Sequence, residues 1–401
     1  MKIELTLDEA YARASFGLRQ KMQYSIRLLQ KAERLALAYD AGGGYYLAFS
    51  GGKDSQALLH IAQLAGVKYT AHMNLTSVDP PDVIRFVRKQ YPEVEMIKPN
   101  ASIYQVAVKK GLLPTQRVRW CCNEYKENAG AGKVALIGIR HQESTRRAKR
   151  NEVEISAKKF SGTLEGFEQY RKAKINNSRK SRPAKGTNIT NATEERTIGC
   201  ISGKESLLIS PIIHWTERDV WEFLNRVCQV PHCSLYDEGY RRIGCICCPM
   251  SSHQQKLREI NRWPHVKRNW IKAIIEIRRC NVGGGSYKKD IWRAESDQQS
   301  VWQHKVGIPL RTGVLQDKQP LATEQTKAIS TRQTGWEGAY IAHPNPQHWT
   351  GGFSESSSSV GLTEEQEHEI AENIFDWWIS GKSYKKWYAE KFLQLKFEFK
   401  E

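Results

Sequence analysis

Two groups of residues in this chain have types and spacings that could do chemistry. The first is Ser50-Gly51-Gly52-Lys53-Asp54-Ser55. Gly51 and Gly52 let backbone N–H groups approach an anion with no Cβ in the way. Lys53 adds a mobile cation, Ser50 and Ser55 add hydroxyls, and Asp54 is a candidate magnesium ligand. An apolar run, Tyr45-Tyr46-Leu47-Ala48-Phe49, precedes the hexapeptide, and Ala57, Leu58, Leu59, Ile61, Ala62 and Leu64 follow it at helical spacing. Strand, glycine turn and helix in that order place orphan N–H donors and the positive end of a helix dipole around one point, which suits a nucleotide phosphate. The glycine and lysine spacing of a Walker loop is absent.

The second group is made of cysteines. Cys245 and Cys248 form a Cys-x-x-Cys pair, and the adjacent Cys121 and Cys122 supply two more thiols if the fold brings them near. Four thiolates suit zinc or an iron–sulfur cluster, and neighbouring ligands are less unusual at a cluster than in a tetrahedral zinc site. Cys247 is an extra thiol inside that loop and a candidate sulfur carrier. Cys200, Cys228, Cys233 and Cys280 read as small buried hydrophobes. A third segment, Gly138-Ile-Arg140-His-Gln-Glu143-Ser144-Thr-Arg146-Arg147-Ala148, follows the apolar run Val134 to Ile139. Arg140 and Arg147 could clamp phosphate or sulfate with bidentate geometry, helped by the Ser144 hydroxyl.

The elements that must position these groups alternate. Strands are expected near 45–50, 69–74, 94–98, 134–139 and 207–213, and helices at 55–65, 80–91, 101–110 and 216–227. That order implies an α/β fold with a doubly wound parallel sheet, and the hexapeptide falls at the carboxyl end of the first strand, where such sheets bind ligands. Residues 1–44 form a helical extension opened by the capping box Thr6-Leu-Asp-Glu9. The nucleotide-binding domain covers 45–284, with a long, mobile basic insertion at 151–199 that reads as an arm or lid able to touch a polyanion (Arg171-Lys172, Arg179-Lys180) or, equally, as a solvated loop. A separate α-rich region covers 285–401. In it Thr363-Glu-Glu-Gln366 opens a helix carrying Trp377 and Trp378, whose spacing favours a core role over base stacking.

The 401-residue chain carries 61 Lys and Arg against 43 Asp and Glu, a formal net charge of +18. Such a surplus points to a polyanionic partner, nucleic acid first. The sequence offers no apolar leader and no run of about 20 apolar residues to span a bilayer, so a cytoplasmic protein is expected, with homo-oligomerisation left open. Nine cysteines in such a chain argue for metal or redox chemistry over disulfides.

Ser50 to Ser55 resembles the SGGxDS signature of the PP-loop ATP pyrophosphatases. Pro211-Ile-Ile-His-Trp215-Thr216-Glu-Arg-Asp219-Val-Trp221, followed by Leu235-Tyr236-Asp237-Glu-Gly239-Tyr240-Arg-Arg-Ile243-Gly244-Cys245, is similar to a segment of the phosphoadenosine and adenosine phosphosulfate reductases. The Arg140 to Ala148 segment resembles that family's G-x-R-x-x-x-S-x-x-R-A. The resemblance spans about residues 45–150 and 200–260. It implies an adenine-nucleotide site at the hexapeptide, with ATP and Mg²⁺ held there, and a [4Fe–4S] cluster on Cys121, Cys122, Cys245 and Cys248. The reductases also use a nucleophilic cysteine in a C-terminal tail, and no cysteine follows Cys280 here; Arg242 stands where they carry a small serine. The chain is therefore most similar to the Dnd- and Ssp-type branch of DNA phosphorothioation. That resemblance implies DNA as substrate, a cysteine desulfurase as sulfur donor, and Lys53, Asp54, Arg140 and Arg147 as catalytic residues. The alternatives are an adenylyl-sulfate reductase using an external thiol and a DNA-binding regulator without turnover.

Overall fold

The structure is a computed structural model that describes residues 3–127, 130–156, 160–180, 205–280, 362–383, 386–388 and 390–391. Residues 181–199 of the insertion, Cys200, and Trp292, Trp302, Trp336 and Trp349 lie outside the described residues.

A capping box closes the start of α1 (Leu7–Arg13): Thr6 N–H donates to Glu9 Oε2, and Glu9 N–H to Thr6 Oγ1. The long helix α2 (Phe16–Tyr39) buries Leu18, Met22, Ile26, Leu29 and Leu35 along one stripe. The alternating strands and helices then follow as β1 (Tyr45–Ala48), α3 (Lys53–Ala65), β2 (Tyr69–Asn74), α4 (Pro81–Gln90), β3 (Glu95–Ile97), α5 (Ile103–Lys110), the short α6 (Trp120–Cys122) and β4 (Val134–Leu136). β2 and β4 flank β1 in parallel, with Tyr45 opposite Tyr69 and Tyr46 opposite Ala135. β3 joins β2 in parallel, and β7 (Leu207–Ile209) joins β4 in parallel. The parallel, doubly wound core read from the sequence is thus present, and the strand order turns outward in both directions from β1. That is the switch point at which such sheets bind ligands. β1 is buried through Tyr45, Tyr46 and Leu47, and the Tyr45 hydroxyl is satisfied by the Leu29 carbonyl at 2.7 Å.

The insertion is where the sequence reading needs correction. Its first part is an ordered extension of the sheet. β5 (Val153–Ile155) runs antiparallel to β7, β6 (Ser161–Gly162) runs antiparallel to β5, and α7 (Leu164–Lys180) follows. Val153 and Ile155 point one way into the core, and Phe160 and Phe167 meet edge to face at 5.5 Å. Four or five apolar residues suffice to dock this hairpin because β7 already offers an open edge. Arg171, read as a polyanion contact, is buried and paired with Glu168 at 2.9 Å.

After β7 come α8 (Glu217–Glu222), which continues as a π-helical turn over Phe223–Cys228, then α9 (His253–Arg262) and α10 (Pro264–Cys280). Contacts divide the chain into a large unit, Met1–Lys288 with Ala371–Glu401, and a small one, Lys289–Ile370. Of the small unit, residues 362–370 are described: Thr363 and Gln366 cap the start of α11 (Glu364–Ser380). Within the large unit, Trp378 lies buried 4.9 Å from Trp270 and donates its Nε1–H to the Pro114 carbonyl at 2.6 Å. The tryptophan is core, as its spacing predicted. No helix among the described residues is long and apolar enough to cross a membrane.

Candidate functional site

The hexapeptide forms the turn between β1 and α3. Gly51 sits at φ +72°, and a Cβ there would stand 2.7 Å from Val83 and 2.8 Å from Val87, so only glycine fits between the loop and α4. Gly52 caps α3 without a side chain. The Ser55 hydroxyl braces the turn from inside: it accepts from Ser50 N–H at 3.1 Å and donates to the Gly52 carbonyl at 2.8 Å. At its far side Gly138 follows β4 so closely that a Cβ would meet the Asp54 carbonyl at 2.9 Å, which brings the Arg140 segment onto the first turn of α3.

Lys53 is not the mobile cation expected. Its side chain is 5% exposed, and its Nζ donates to the Arg241 carbonyl at 3.0 Å, 3.4 Å from Glu217 Oε1 and 3.8 Å from Asp54 Oδ2. The Arg241 turn is distant in sequence, so this clamp could not be read from the hexapeptide. Asp54 Oδ1 accepts from Arg140 Nε at 2.6 Å. Both carboxylate oxygens of Asp54 thus face cations. Arg140 is 3% exposed, and its Nη1 is buried with no hydrogen-bond partner. A buried guanidinium N–H left open costs free energy unless something accepts it. The orphan lies beside the N-terminus of a 13-residue helix, and the two features together make an anion site.

Arg147 and Ser144 sit one turn farther along. Arg147 pairs with Glu143, Ser144 Oγ accepts from Arg147 N–H at 3.2 Å, and Glu143 Oε2 also accepts Arg140 N–H at 2.8 Å. Glu143 is therefore a linking residue that the sequence reading missed. Its i, i+4 spacing to Arg147 is the signal that could have found it. Tyr236 was missed as a site residue as well: its hydroxyl accepts the Lys53 N–H at 2.8 Å.

The cysteines form a second corner. Cys121 and Cys122 lie on a short helical turn (Trp120–Cys122), and Cys245 and Cys248 on a tight loop where Cys248 N–H donates to the Cys245 carbonyl at 3.2 Å. The four thiols interact. Cys121 is pushed well up by its hydrogen bond with Cys122, then by burial and by the charges of Cys122, Cys245 and Cys248. Cys245 Sγ accepts from Thr76 Oγ1 at 3.4 Å and from Lys126 Nζ at 3.3 Å, and the Cys245 charge holds the Lys126 ammonium above its ordinary value. This donor set suits a thiolate-ligated group: four soft ligands, with a hydroxyl and an ammonium already directed at one sulfur. Yet among the described residues no group of three or more His, Cys, Asp or Glu side chains is arranged to hold a metal ion. Cys247 does not suit a sulfur carrier. It is 1% exposed, and burial pushes its thiol up, away from the reactive thiolate. Cys228 and Cys233 are buried, as small hydrophobes should be, whereas Cys280, expected to be buried with them, is exposed on the last turn of α10.

Residues 44–251 match the phosphoadenosine phosphosulfate reductase domain. An uncharacterised Methanocaldococcus jannaschii protein is 24% identical over 65% of this chain and 46% of its own length. An adenosine 5'-phosphosulfate reductase of Oceanobacillus iheyensis is 37% identical over 15% of this chain and 24% of its own. Among solved structures, a Candida glabrata FMN adenylyltransferase in complex with FMN and an ATP analogue shares 12% identity and a TM-score of 0.35 over 60% of this chain and 72% of that one. The chain spans about half the length of the longer curated relatives it matches. With over half of its residues inside the matched span, and with the hexapeptide, Arg140 and the Tyr236 turn converging on one sheet edge within it, the chain belongs to the phosphoadenosine phosphosulfate reductase domain family.

Proposed function

We propose that the chain is an ATP-dependent adenylating enzyme of sulfur transfer that acts on the phosphate backbone of DNA, in phosphorothioate modification. The observation that carries the nucleotide part is the buried Arg140 guanidinium with an open Nη1 beside the first turn of α3. ATP would lie across the carboxyl edge of the sheet and bring Mg²⁺ on its phosphates. A non-bridging oxygen of the DNA phosphate attacks the α-phosphorus, and pyrophosphate leaves. Charge building on the departing group is met by the Gly51, Gly52, Asp54 and Ser55 amides, the Lys53 ammonium and Arg140. Because Lys53 and Arg140 are already fixed by neighbours, little reorganisation is needed when that charge appears.

The net charge of +18 supports a polyanionic acceptor. Cys121, Cys122, Cys245 and Cys248 would hold an iron–sulfur cluster, which supplies electron or sulfur chemistry when bound; a desulfurase would deliver the sulfur. A second reading, reduction of an adenylyl sulfate by an external thiol, is favoured by the name of the Oceanobacillus relative. Anaerobically purified protein decides between them. Pyrophosphate release from ATP, stimulated by DNA, is expected under the first reading. Sulfite from adenylyl sulfate without such release establishes the second. DNA binding with neither reaction identifies a regulator.

A further inference from the structure

The Lys53 N–H is one of the free donors at the start of α3, where a phosphate oxygen would be held. In the structure its acceptor is the Tyr236 hydroxyl, at 2.8 Å. The approach depends on Gly52: a Cβ on that residue would stand 3.3 Å from the Tyr236 oxygen. The phenol is fixed from several sides. Its ring meets the edge of Trp221 at 5.0 Å and 89°, and His232 lies beyond at 6.1 Å. The Lys53 ammonium sits 5.4 Å from the ring centre. The backbone around it is a closed turn, with Tyr236 N–H bonded to the Cys233 carbonyl and Gly239 N–H to the Tyr236 carbonyl.

A hydroxyl that accepts one hydrogen bond still has its own proton to give. Among the described residues nothing receives the Tyr236 O–H, and the amide it accepts from, Lys53 N–H, adjoins Asp54, whose carboxylate accepts from Arg140 Nε. We infer that Tyr236 is a further phosphate-binding residue, whose hydroxyl accepts the Lys53 N–H and donates its own proton to a phosphate oxygen of the bound nucleotide. Burial holds the phenol above its ordinary pKa, so it stays a donor across the working range of pH. The amide, the hydroxyl and the phosphate then form a short chain in which each bond strengthens the next. The donor comes from a turn over 180 residues downstream of the loop, outside the hexapeptide.

This inference rests on the nucleotide reading of the site, and the test separates the two. In Tyr236→Phe the ring keeps its contacts, and only the hydroxyl is lost. With the full chain, ATP is expected to bind about tenfold more weakly or worse, as for loss of a hydrogen bond to a charged group. Adenosine binding should not move, and the unliganded Tm should fall only slightly, as for the loss of the one hydrogen bond that Lys53 N–H makes to the hydroxyl. Should Tyr236→Phe fail to fold, 3-fluorotyrosine at position 236 tests the same donor with the ring kept: the more acidic phenol should change ATP affinity and leave adenosine affinity unmoved, and no change for ATP overturns the inference. ATP affinity unchanged or raised in Tyr236→Phe overturns the inference, since the hydroxyl is then a stand-in that the nucleotide displaces. Equal loss for ATP and adenosine overturns it too, since the role is then structural. Wild-type protein that binds neither ATP nor pyrophosphate overturns the nucleotide reading itself.

Discussion

The phosphate-loop edge and the cysteine corner are built on opposite plans. The loop edge is closed on itself: Ser55 braces the turn, Asp54 pairs with Arg140, Lys53 is held by the Arg241 carbonyl, and the Arg140 Nη1 is left open. It is ready for its ligand before the ligand arrives. The cysteine corner is assembled from two short turns more than 100 residues apart. The pKa of Cys121 is raised by its hydrogen bond with Cys122, by burial and by the neighbouring thiols, and that of Cys248 by burial first and then by Cys245 and Cys122. The contrast follows from charge. Unlike charges can be satisfied by one another, whereas four thiols crowded together need a cation to become good thiolates. The first site comes with the fold, and the second asks for its occupant.

The largest expected effect isolates the loop edge. Lys53→Ala removes the ammonium that faces Asp54 and Glu217, and pyrophosphate release should fall by about two orders of magnitude or more. Under the cluster proposal, visible absorbance from the cysteine corner should survive. If both disappear together, the two regions are one cooperative unit and the contrast is broken. The converse substitution is Cys245→Ser, which takes away the sulfur that Thr76 and Lys126 address. Bound iron should be lost while ATP affinity stays within about twofold. Full iron content in this variant would refute the ligand assignment.

Acid offers a third test. His60, wholly buried on α3 between Gln63 and Tyr91, has its pKa lowered to about 4, chiefly by burial. The unfolded chain therefore binds a proton that the folded one refuses. The stability that neutral His60 provides is present above about pH 6.5 and is lost as pH falls toward 4, on the order of 3 kcal/mol in all. Urea midpoints across that window should drop, and His60→Gln should flatten the slope. A slope unchanged in the variant would place the acid sensitivity elsewhere, the cysteine corner included. The smallest effect expected is from Ser55→Ala, which deletes the internal brace of the turn. A stability loss of about 1 kcal/mol is predicted by chemical unfolding, with weaker ATP binding.

The parallel core was legible because its signals are local. β1, the glycine turn and α3 occupy 21 consecutive residues, and apolar runs alternate with capped helices through β4. The hairpin of β5 and β6 was not legible: two to three residues per strand give too short a pattern, and their order comes from the open edge of β7. Within the site, the hexapeptide could be read directly. The Asp54–Arg140 pair joins positions 86 apart, and the Tyr236 contact joins positions 183 apart, so neither leaves a periodic trace.

By itself the sequence determined where an anion could be held, which thiols could act together, and which strands would lie in parallel, since each follows from residue type and near-neighbour spacing. Tertiary structure alone decided that Lys53 is clamped, that Arg140 keeps one donor open, that Cys247 is sealed from solvent, and that a distant tyrosine reaches the first amide of α3. Those outcomes depend on which far segments meet at the sheet edge, because burial, pairing and hydrogen-bond satisfaction belong to the folded neighbourhood of a residue and not to its position in the chain.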